Sequence, residues 1–108
     1  MRKVVVLAAC VMALTARVGL AQDAAQGAKV YDAQKCAMCH AVAGKGNKKL
    51  PLDGVGKKLT AAQIKEWIVD PVSAAKKANS TVKPLMKAYP ALPAADLDGL
   101  VAYMGSLK

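Results

Sequence analysis

The sequence predicts an all-α fold of three to five helices, and three observations support this prediction. Apolar residues recur every three or four positions in several segments, as on the buried face of a helix. The segments on either side of Cys36–His40 lack the alternating β-branched runs that indicate a sheet. No internal repeat or low-complexity tract interrupts this pattern.

The amino terminus has the layout of a secretory signal peptide. Arg2 and Lys3 form a positive start, Val4–Ala16 is almost wholly apolar, and small residues precede a cleavage position after Ala21. The apolar run is interrupted by Arg17 and is shorter than the roughly 20 residues that cross a bilayer. We therefore predict an exported protein with no stable membrane insertion.

Cleavage after Ala21 makes residues 1–21 a leader and residues 22–108 the mature domain, which we predict to be a periplasmic monomer. A competing signal is Leu7–Cys10, which resembles the lipobox of bacterial lipoproteins. Cleavage before Cys10 would leave too short a hydrophobic segment ahead of it and an apolar tail behind it. Lipid anchoring at Cys10 is therefore the disfavoured alternative.

Loss of the leader would leave 13 lysines against seven acidic residues, a net charge of +6. No arginine remains for bidentate contacts to bases or phosphates, so we predict no nucleic-acid binding. A basic surface attracts acidic surfaces of other proteins and steers their encounter. The chain has no phenylalanine and only 4% aromatic residues, and a domain this small buries a marginal core unless a bound apolar group completes it.

Asp23 predicts the start of a first helix that runs to about Gln34, with Gly27 and Tyr31 on one of its faces. A loop rich in glycine and lysine is predicted over residues 43–58.

The segment Thr60–Gln63 matches a capping box and predicts the start of a second long helix. The apolar stripe of this helix carries Ile64, Trp67 and Ile68. The Asp70-Pro71 step predicts a stop or kink, because α geometry is disfavoured in the residue before proline.

The last third of the chain begins with a polar stretch at 76–83 and a proline-flanked loop that contains Met86. Pro90 and Pro93 predict that the next segment is not helical. The final helix is predicted over about Ala94–Leu107, where helical periodicity is strongest. Its apolar face carries Leu97, Leu100, Val101, Met104 and Leu107.

The most informative motif is Cys36-Ala37-Met38-Cys39-His40, the pattern that attaches a c-type haem. Two cysteines at this spacing can each add to one vinyl group of the same porphyrin and form a thioether bond. The adjacent His40 then lies under the ring plane, where a ring nitrogen can bind the iron. We predict one covalent haem c on Cys36 and Cys39.

Three other interpretations of the motif are weaker. A thioredoxin-like redox pair would follow a strand in a βαβ unit, which the flanking sequence does not indicate. A zinc site takes four protein ligands, or three plus water, and beyond the leader the chain offers Cys36, Cys39 and His40 as its only cysteine and histidine ligands. A structural disulfide leaves the single histidine of the chain unexplained.

The second axial ligand is a methionine, a lysine or an open position, because the chain has no second histidine. Met38 lies inside the attachment motif and cannot reach the far face of the ring. Met104 lies on the apolar stripe of the last helix, where core packing is the preferred role. Met86 lies in a loop 46 residues after His40 and is the preferred ligand, with core packing as the alternative.

The chain resembles the class I c-type cytochromes, and most closely the small bacterial monohaem cytochromes, over residues 23–108. The matching pieces are Gly27 and Tyr31, the motif Cys36–His40, Pro51, the run Trp67–Pro71, Met86, and Leu100 with Tyr103 in the last helix. The resemblance implies a cytochrome c fold, in which the helices wrap around one covalently bound haem. It also implies that the first and last helices cross at right angles through Gly27, Tyr31, Leu100 and Tyr103.

The resemblance further implies that the Pro51 carbonyl accepts a hydrogen bond from the free ring N–H of His40. Such a contact orients a metal-bound histidine. Trp67 either donates its indole N–H to a haem propionate or only fills the core. Lys35, Lys83 and Lys87 are expected around the haem edge, because they are close in sequence to the proposed ligands.

We expect a soluble one-electron carrier between redox proteins, with iron bound by His40 and Met86, and not an enzyme. Methionine opposite histidine raises the reduction potential and closes the iron to substrates. One alternative is a haem-bearing electron-transfer subunit, or an open-site haem sensor or enzyme. Another is a haem-free thiol-disulfide oxidoreductase. The expected partners are proteins with acidic docking surfaces.

Overall fold

The computed structural model describes residues 23–108 and confirms the all-α class. The helices of this region are α1 over residues 23–33, α2 (Val55–Lys58), α3 (Ala61–Val69), α4 (Pro71–Lys77) and α5 (Ala94–Gly105). A short 3-10 helix, Cys36–Met38, follows α1. The predicted leader, its cleavage after Ala21 and the cysteine at position 10 lie outside the described residues.

The predicted capping box at the start of α3 is confirmed. The backbone N–H of Gln63 donates to the Thr60 hydroxyl at 3.2 Å, and the Thr60 N–H donates to the Gln63 side chain at 2.8 Å. These bonds satisfy two of the free N–H groups at the helix start. Ile64 and Ile68 are buried on the predicted stripe, whereas Trp67 is half-buried.

The Asp70-Pro71 step ends α3 as predicted, but a further helix begins at once. The Asp70 side chain accepts a hydrogen bond from the Ser73 N–H at 3.2 Å, and Pro71 occupies the first position of α4. Proline suits this position because its missing N–H has no partner there and its φ is already helical. The sequence pattern predicted the break but not the helix that the same proline starts.

Glu66 joins α3 to α4. Its carboxylate accepts hydrogen bonds from the Ser73 hydroxyl at 2.7 Å and the Lys77 ammonium at 2.9 Å. The Lys77 hydrogen bond, with that of Ser73, holds the pKa of Glu66 below its usual range. The ionised form that links the two helices is therefore favoured.

The predicted loop 43–58 contains regular structure that the sequence did not indicate. Strands β1 (Ala41–Val42) and β2 (Lys45–Gly46) pair antiparallel, with Ala41 opposite Gly46. Ala41 also forms a parallel bridge with Pro51. This small ribbon folds the loop back on the attachment motif. There the backbone N–H of Asn47 donates to the Ala37 and His40 carbonyls, and the Asn47 side-chain amide donates to the Met38 carbonyl.

α1 and α5 meet at a backbone contact between Gly27 and Gly99. A Cβ atom on Gly27 would overlap the Gly99 carbonyl, so this approach requires glycine. Beside it, the Tyr31 and Tyr103 rings pack edge to face with centroids 5.7 Å apart. Leu100, which was also expected at this crossing, belongs to the hydrophobic core. Its neighbour Gly99 makes the backbone contact with Gly27.

The core lies where α1, α3 and α5 converge, and α2 and α4 pack outside it against α5 and α3 respectively. Its buried members are Val30, Tyr31, Ile64, Ile68, Leu100 and Met104. From residue 23 onward, no helix has the length and apolar character needed to cross a bilayer.

Replacing Gly27 with alanine is expected to destabilise the haem-loaded protein by about 1–3 kcal/mol, the usual cost of overpacking. The added methyl group would overlap the Gly99 backbone, which cannot move independently of α5. Urea unfolding measures the change. Gly105→Ala is the matched control, because a Cβ there meets no atom within 4 Å and alanine favours a helix. Equal effects of both substitutions would contradict the close crossing.

A candidate cofactor cavity

A cavity of about 470 Å³ opens beside the core, in the size range of small-molecule and cofactor sites. The attachment motif, α3, α5 and the segment from 80 to 89 all contribute to its wall. Its wall is mainly apolar, with contributions from Leu52, Leu59, Ile64, Ile68, Leu85 and Leu100. Such a surface suits a large apolar group.

The two thiols of the motif lie on one tight turn at the cavity. Lys35 adopts a left-handed conformation, with φ of 57°, which redirects the chain after α1. The N–H groups of Cys39 and His40 then both donate to the Cys36 carbonyl, at 3.2 and 3.0 Å. Both cysteines are free thiols in the cavity wall, with Cys36 half-buried and Cys39 exposed.

Burial raises the pKa of the Cys36 thiol. At neutral pH this thiol therefore keeps its proton, in contrast to the acidic thiolate of a typical thiol redox centre.

The His40 ring is also part of the cavity wall and is oriented by the backbone. Its Nδ1 lies 3.1 Å from the Leu50 carbonyl oxygen. A carbonyl only accepts, so Nδ1 must carry the proton and donate, which leaves the lone pair of Nε2 for a metal. The ring is therefore prepared as a ligand through one specific nitrogen.

The Leu50 carbonyl, not the Pro51 carbonyl that the family resemblance implied, is therefore the partner of His40. The parallel bridge explains the difference. The Leu50 carbonyl accepts from the Ala41 N–H at 3.3 Å, and the Leu52 N–H donates to the Ala41 carbonyl at 2.8 Å. Successive carbonyls of an extended strand point to opposite sides, so the Pro51 carbonyl faces away. Pro51 itself is exposed and contributes no part of the cavity wall.

Two methionines of the described region line the cavity. Met86 is half-buried in the wall, and Met104 is 6% exposed within the core. Met38 is 71% exposed and lies outside the wall, as expected for a residue inside the motif. The structure thus brings Met86 and His40 to one cavity, and Met104 has the core position expected from its helix stripe.

The segment that carries Met86 is anchored by Tyr89, a residue that the sequence analysis did not single out. The Tyr89 N–H donates to the Ile68 carbonyl at 2.8 Å. The Lys87 ammonium lies 5.6 Å from the centre of the Tyr89 ring, within range of a cation–π interaction. No local sequence signal indicated these contacts, because they depend on how the segment packs against the end of α3.

The remaining predicted site residues divide between the wall and its surroundings. Trp67 lines the cavity, and its contact with a propionate stays a prediction. Lys35 and Lys87 are part of the wall, whereas Lys83 is exposed beside it. Residues 23–108 hold no cluster of three or more cysteine, histidine or acidic side chains suited to a metal ion.

The residues present fit a haem c. The apolar wall suits a porphyrin, the two free thiols suit its vinyl groups, and His40 and Met86 supply nitrogen and sulfur ligands for iron. These donor types belong to haem iron rather than to a hard cation such as calcium or magnesium.

The sequence model of the family described as Cytochrome c matches residues 24–108. Among curated proteins, the chain is similar to Cytochrome c oxidase subunit 2 of Alkalihalophilus pseudofirmus, at 34% identity over 92 residues. The alignment covers 77% of this chain and 25% of that relative, so the chain spans about a quarter of its length. No solved structure matches the chain.

Proposed function

Because the chain belongs to the cytochrome c family and is a haem-bearing electron-transfer protein, we propose that it carries one haem and works as a soluble one-electron carrier. The observation that carries this proposal is the joint placement of His40, both motif cysteines and Met86 around one apolar cavity. We propose no catalytic role, since two axial ligands leave no position for a substrate.

In this proposal Cys36 and Cys39 hold the porphyrin through thioether bonds, and His40 binds iron through Nε2. The Leu50 carbonyl keeps the imidazole in the required tautomer and raises its basicity. Met86 would supply the second iron ligand, and the Tyr89 anchor positions its segment. When bound, the haem supplies an iron that changes oxidation state by one electron.

The apolar wall has a second role in electron transfer. It excludes water from the cofactor, and a dry, low-dielectric surrounding disfavours the more highly charged oxidised state. Together with the methionine ligand, this raises the reduction potential.

The mature chain is proposed to be residues 22–108, exported to the periplasm and monomeric. Members of the family carry covalent haem c. The apolar leader of this chain matches the pattern of exported proteins. Intact mass spectrometry of protein produced with haem-attachment machinery tests the cleavage site, lipidation and the haem count together. A mass equal to residues 22–108 plus one haem supports the proposal. A retained leader, a lipid at Cys10 or a second haem would overturn the corresponding part.

The partner is proposed to be a redox protein with an acidic docking surface. Lys35, Lys83 and Lys87 lie in or beside the wall, so the cavity mouth is expected to be electropositive. Electrostatic attraction of this kind speeds encounter, and salt weakens it as the Debye length falls from about 30 Å at 0.01 M to about 8 Å at 0.15 M.

Reversing the charge of Lys35 and Lys83 to glutamate is expected to slow oxidation by an anionic iron complex such as hexacyanoferrate. At 0.01 M salt the rate should fall about tenfold, and at 0.15 M much less, because the effect is electrostatic. Stopped-flow absorbance measures the rate. Lys87 is left in place because it contacts Tyr89.

The matched control is Lys29→Glu with Lys65→Glu, which gives the same net charge but lies outside the cavity wall. If both pairs slow the reaction equally, electron transfer does not use the cavity mouth.

A second candidate function is that of an electron-transfer subunit of a larger oxidoreductase. The similarity to a cytochrome c oxidase subunit favours it, because that relative is about four times longer than the aligned part of this chain. Size-exclusion of detergent extracts from the native cell distinguishes the two. Elution of the haem-stained chain at about its own mass supports a free carrier, and co-elution with a membrane complex supports the subunit.

A further inference from the structure

Asn47 lies in the loop that follows the attachment motif, and it contacts three backbone carbonyls of that motif. Its backbone N–H lies 3.0 Å from the Ala37 carbonyl oxygen and 2.9 Å from that of His40. Its side-chain amide donates to the Met38 carbonyl at 3.2 Å. Hydrogen bonds within the attachment turn use other carbonyls, so Asn47 serves those that the turn leaves free.

The other end of the Asn47 side chain contacts the segment that orients His40. The amide oxygen accepts a hydrogen bond from the Lys49 N–H at 3.0 Å, which closes a short turn of the kind that asparagine favours. Lys49 directly precedes Leu50, whose carbonyl oxygen lies 3.1 Å from His40 Nδ1. One side chain therefore joins the attachment turn to the hydrogen-bond acceptor of the axial histidine.

The two contacts require the chemistry of an amide. The Met38 carbonyl only accepts and the Lys49 N–H only donates, so the side chain must offer a donor and an acceptor at once. This requirement also fixes which end of the amide faces each partner. A residue that has only one of these functions at this reach would leave one segment unjoined.

Gly46 shows how closely the loop packs on the motif at this point. Its backbone is left-handed, with φ of 106°, and a Cβ atom there would overlap the His40 carbonyl. Asn47 follows directly and is half-buried. The amide is thus held against the attachment turn by the backbone of its own loop.

We propose that Asn47 is a positioning residue whose side chain fixes the Leu50 carbonyl relative to the attachment turn, and so orients the His40 ring. This inference rests on the proposed binding of iron by His40. Hydrogen bonds to the outer nitrogen of a ligating histidine fix its tautomer and raise its basicity. A more basic ligand stabilises the more highly charged oxidised iron, so Asn47 holds the reduction potential below the value it would otherwise have.

The His40 Nδ1–H proton reports on this contact directly. His40 is the only histidine of the chain, so untagged protein gives a single signal of this type. In the reduced, haem-loaded Asn47→Ala variant, we expect this proton to exchange with solvent about tenfold faster, the effect of losing one or two hydrogen bonds. Nitrogen-edited NMR measures the rate. Unchanged exchange would overturn the proposal, because alanine keeps the backbone contacts and removes only the side chain.

Asn47→Ser separates the two ends of the side chain. A serine hydroxyl accepts from an N–H two residues on, as in the turn with Lys49, but it has no amide group for the Met38 carbonyl. If the side chain acts by joining two segments, this variant should exchange as fast as Asn47→Ala. Exchange at the wild-type rate would show that the turn alone orients His40 and would overturn the proposal. The retained turn keeps this test open if Asn47→Ala does not fold.

Thr60→Ala is the matched control, because it removes another side-chain acceptor of a backbone N–H, at the start of α3 and outside the cavity wall. It should leave the His40 exchange rate unchanged. The backbone N–H of Tyr89, which donates to the Ile68 carbonyl, is the internal reference in every variant. Equal acceleration of the Tyr89 and His40 protons in Asn47→Ala would show general loosening and would contradict a positioning role.

The reduction potential provides a second readout. Spectroelectrochemistry of Asn47→Ala should show the equilibrium shifted about twofold toward the reduced state, which is about 18 mV at 59 mV per tenfold for one electron. The expected direction follows from the lower basicity of a loosely held imidazole. A potential that is unchanged or lower would show that Asn47 does not act on the iron through His40.

Failure of this inference can be distinguished from failure of the proposed function. If His40 does not bind iron, its ring protons in reduced wild-type protein lack the large ring-current shifts of an axial ligand, and the proposed function is wrong. If those shifts are present while exchange and potential are insensitive to Asn47→Ala and Asn47→Ser, only the positioning role of Asn47 is wrong.

Discussion

Replacing Met86 with alanine is expected to abolish the weak long-wavelength absorption band of an iron–thioether bond and to lower the reduction potential. Axial ligands set haem potentials over a span of about 0.8 V, so we expect a fall on the order of 0.1–0.3 V. The physical reason is that a thioether stabilises reduced iron more than water or an oxygen ligand does. Optical spectra and spectroelectrochemistry of the oxidised protein measure both effects.

Met104→Ala is the matched control, since Met104 of α5 also lines the cavity but is buried in the hydrophobic core. This variant should keep the band and lose stability by about 2–5 kcal/mol, the usual cost of removing a buried large side chain. If the band instead survives in Met86→Ala and vanishes in Met104→Ala, the axial ligand has been assigned to the wrong methionine.

Removal of either motif cysteine is expected to impair covalent attachment, and removal of both to abolish it. In the double variant Cys36→Ala with Cys39→Ala, no thiol remains in the wall to bond the porphyrin. Without haem, a cavity of about 470 Å³ beside the core stays unfilled, and a domain of this size has little other apolar interior to hold it folded. Haem staining after denaturing electrophoresis measures attachment, and circular dichroism measures folding.

The third cysteine of the chain supplies the control. Cys10→Ala lies in the predicted leader and should leave haem attachment intact. Full staining of the double motif variant would show that the haem is bound elsewhere or without thioether bonds. Loss of staining in Cys10→Ala would show that the leader cysteine has a role that the signal-peptide interpretation does not contain.

Short-range signals in the sequence predicted the three longest helices, α1, α3 and α5. Thr60 and Gln63 make the capping box within four residues, and Asp70-Pro71 breaks the chain through the sterics of one peptide. The attachment motif is equally local, because thiol spacing and the adjacent His40 lie on one turn. Such features depend on neighbours in sequence, so they are visible without a fold.

Contacts between distant segments could not be predicted in the same way. The Leu50 carbonyl replaced that of Pro51 as the partner of His40 because the Ala41 bridge sets the register of the extended segment. A shift of one residue in register reverses which carbonyls face a neighbour. The resemblance named the correct loop, but the residue was decided by a backbone pairing that composition does not encode.

The sequence by itself determined the helical class, the attachment motif with its single histidine, and the candidate methionine, because each follows from residue type and spacing. Only the tertiary structure decided that the Gly27 backbone meets Gly99, that Tyr89 anchors the Met86 segment, and that the Tyr31 hydroxyl is left without a partner. Local chemistry depends on residues that are neighbours in sequence, whereas burial and hydrogen-bond satisfaction depend on surfaces that folding brings together.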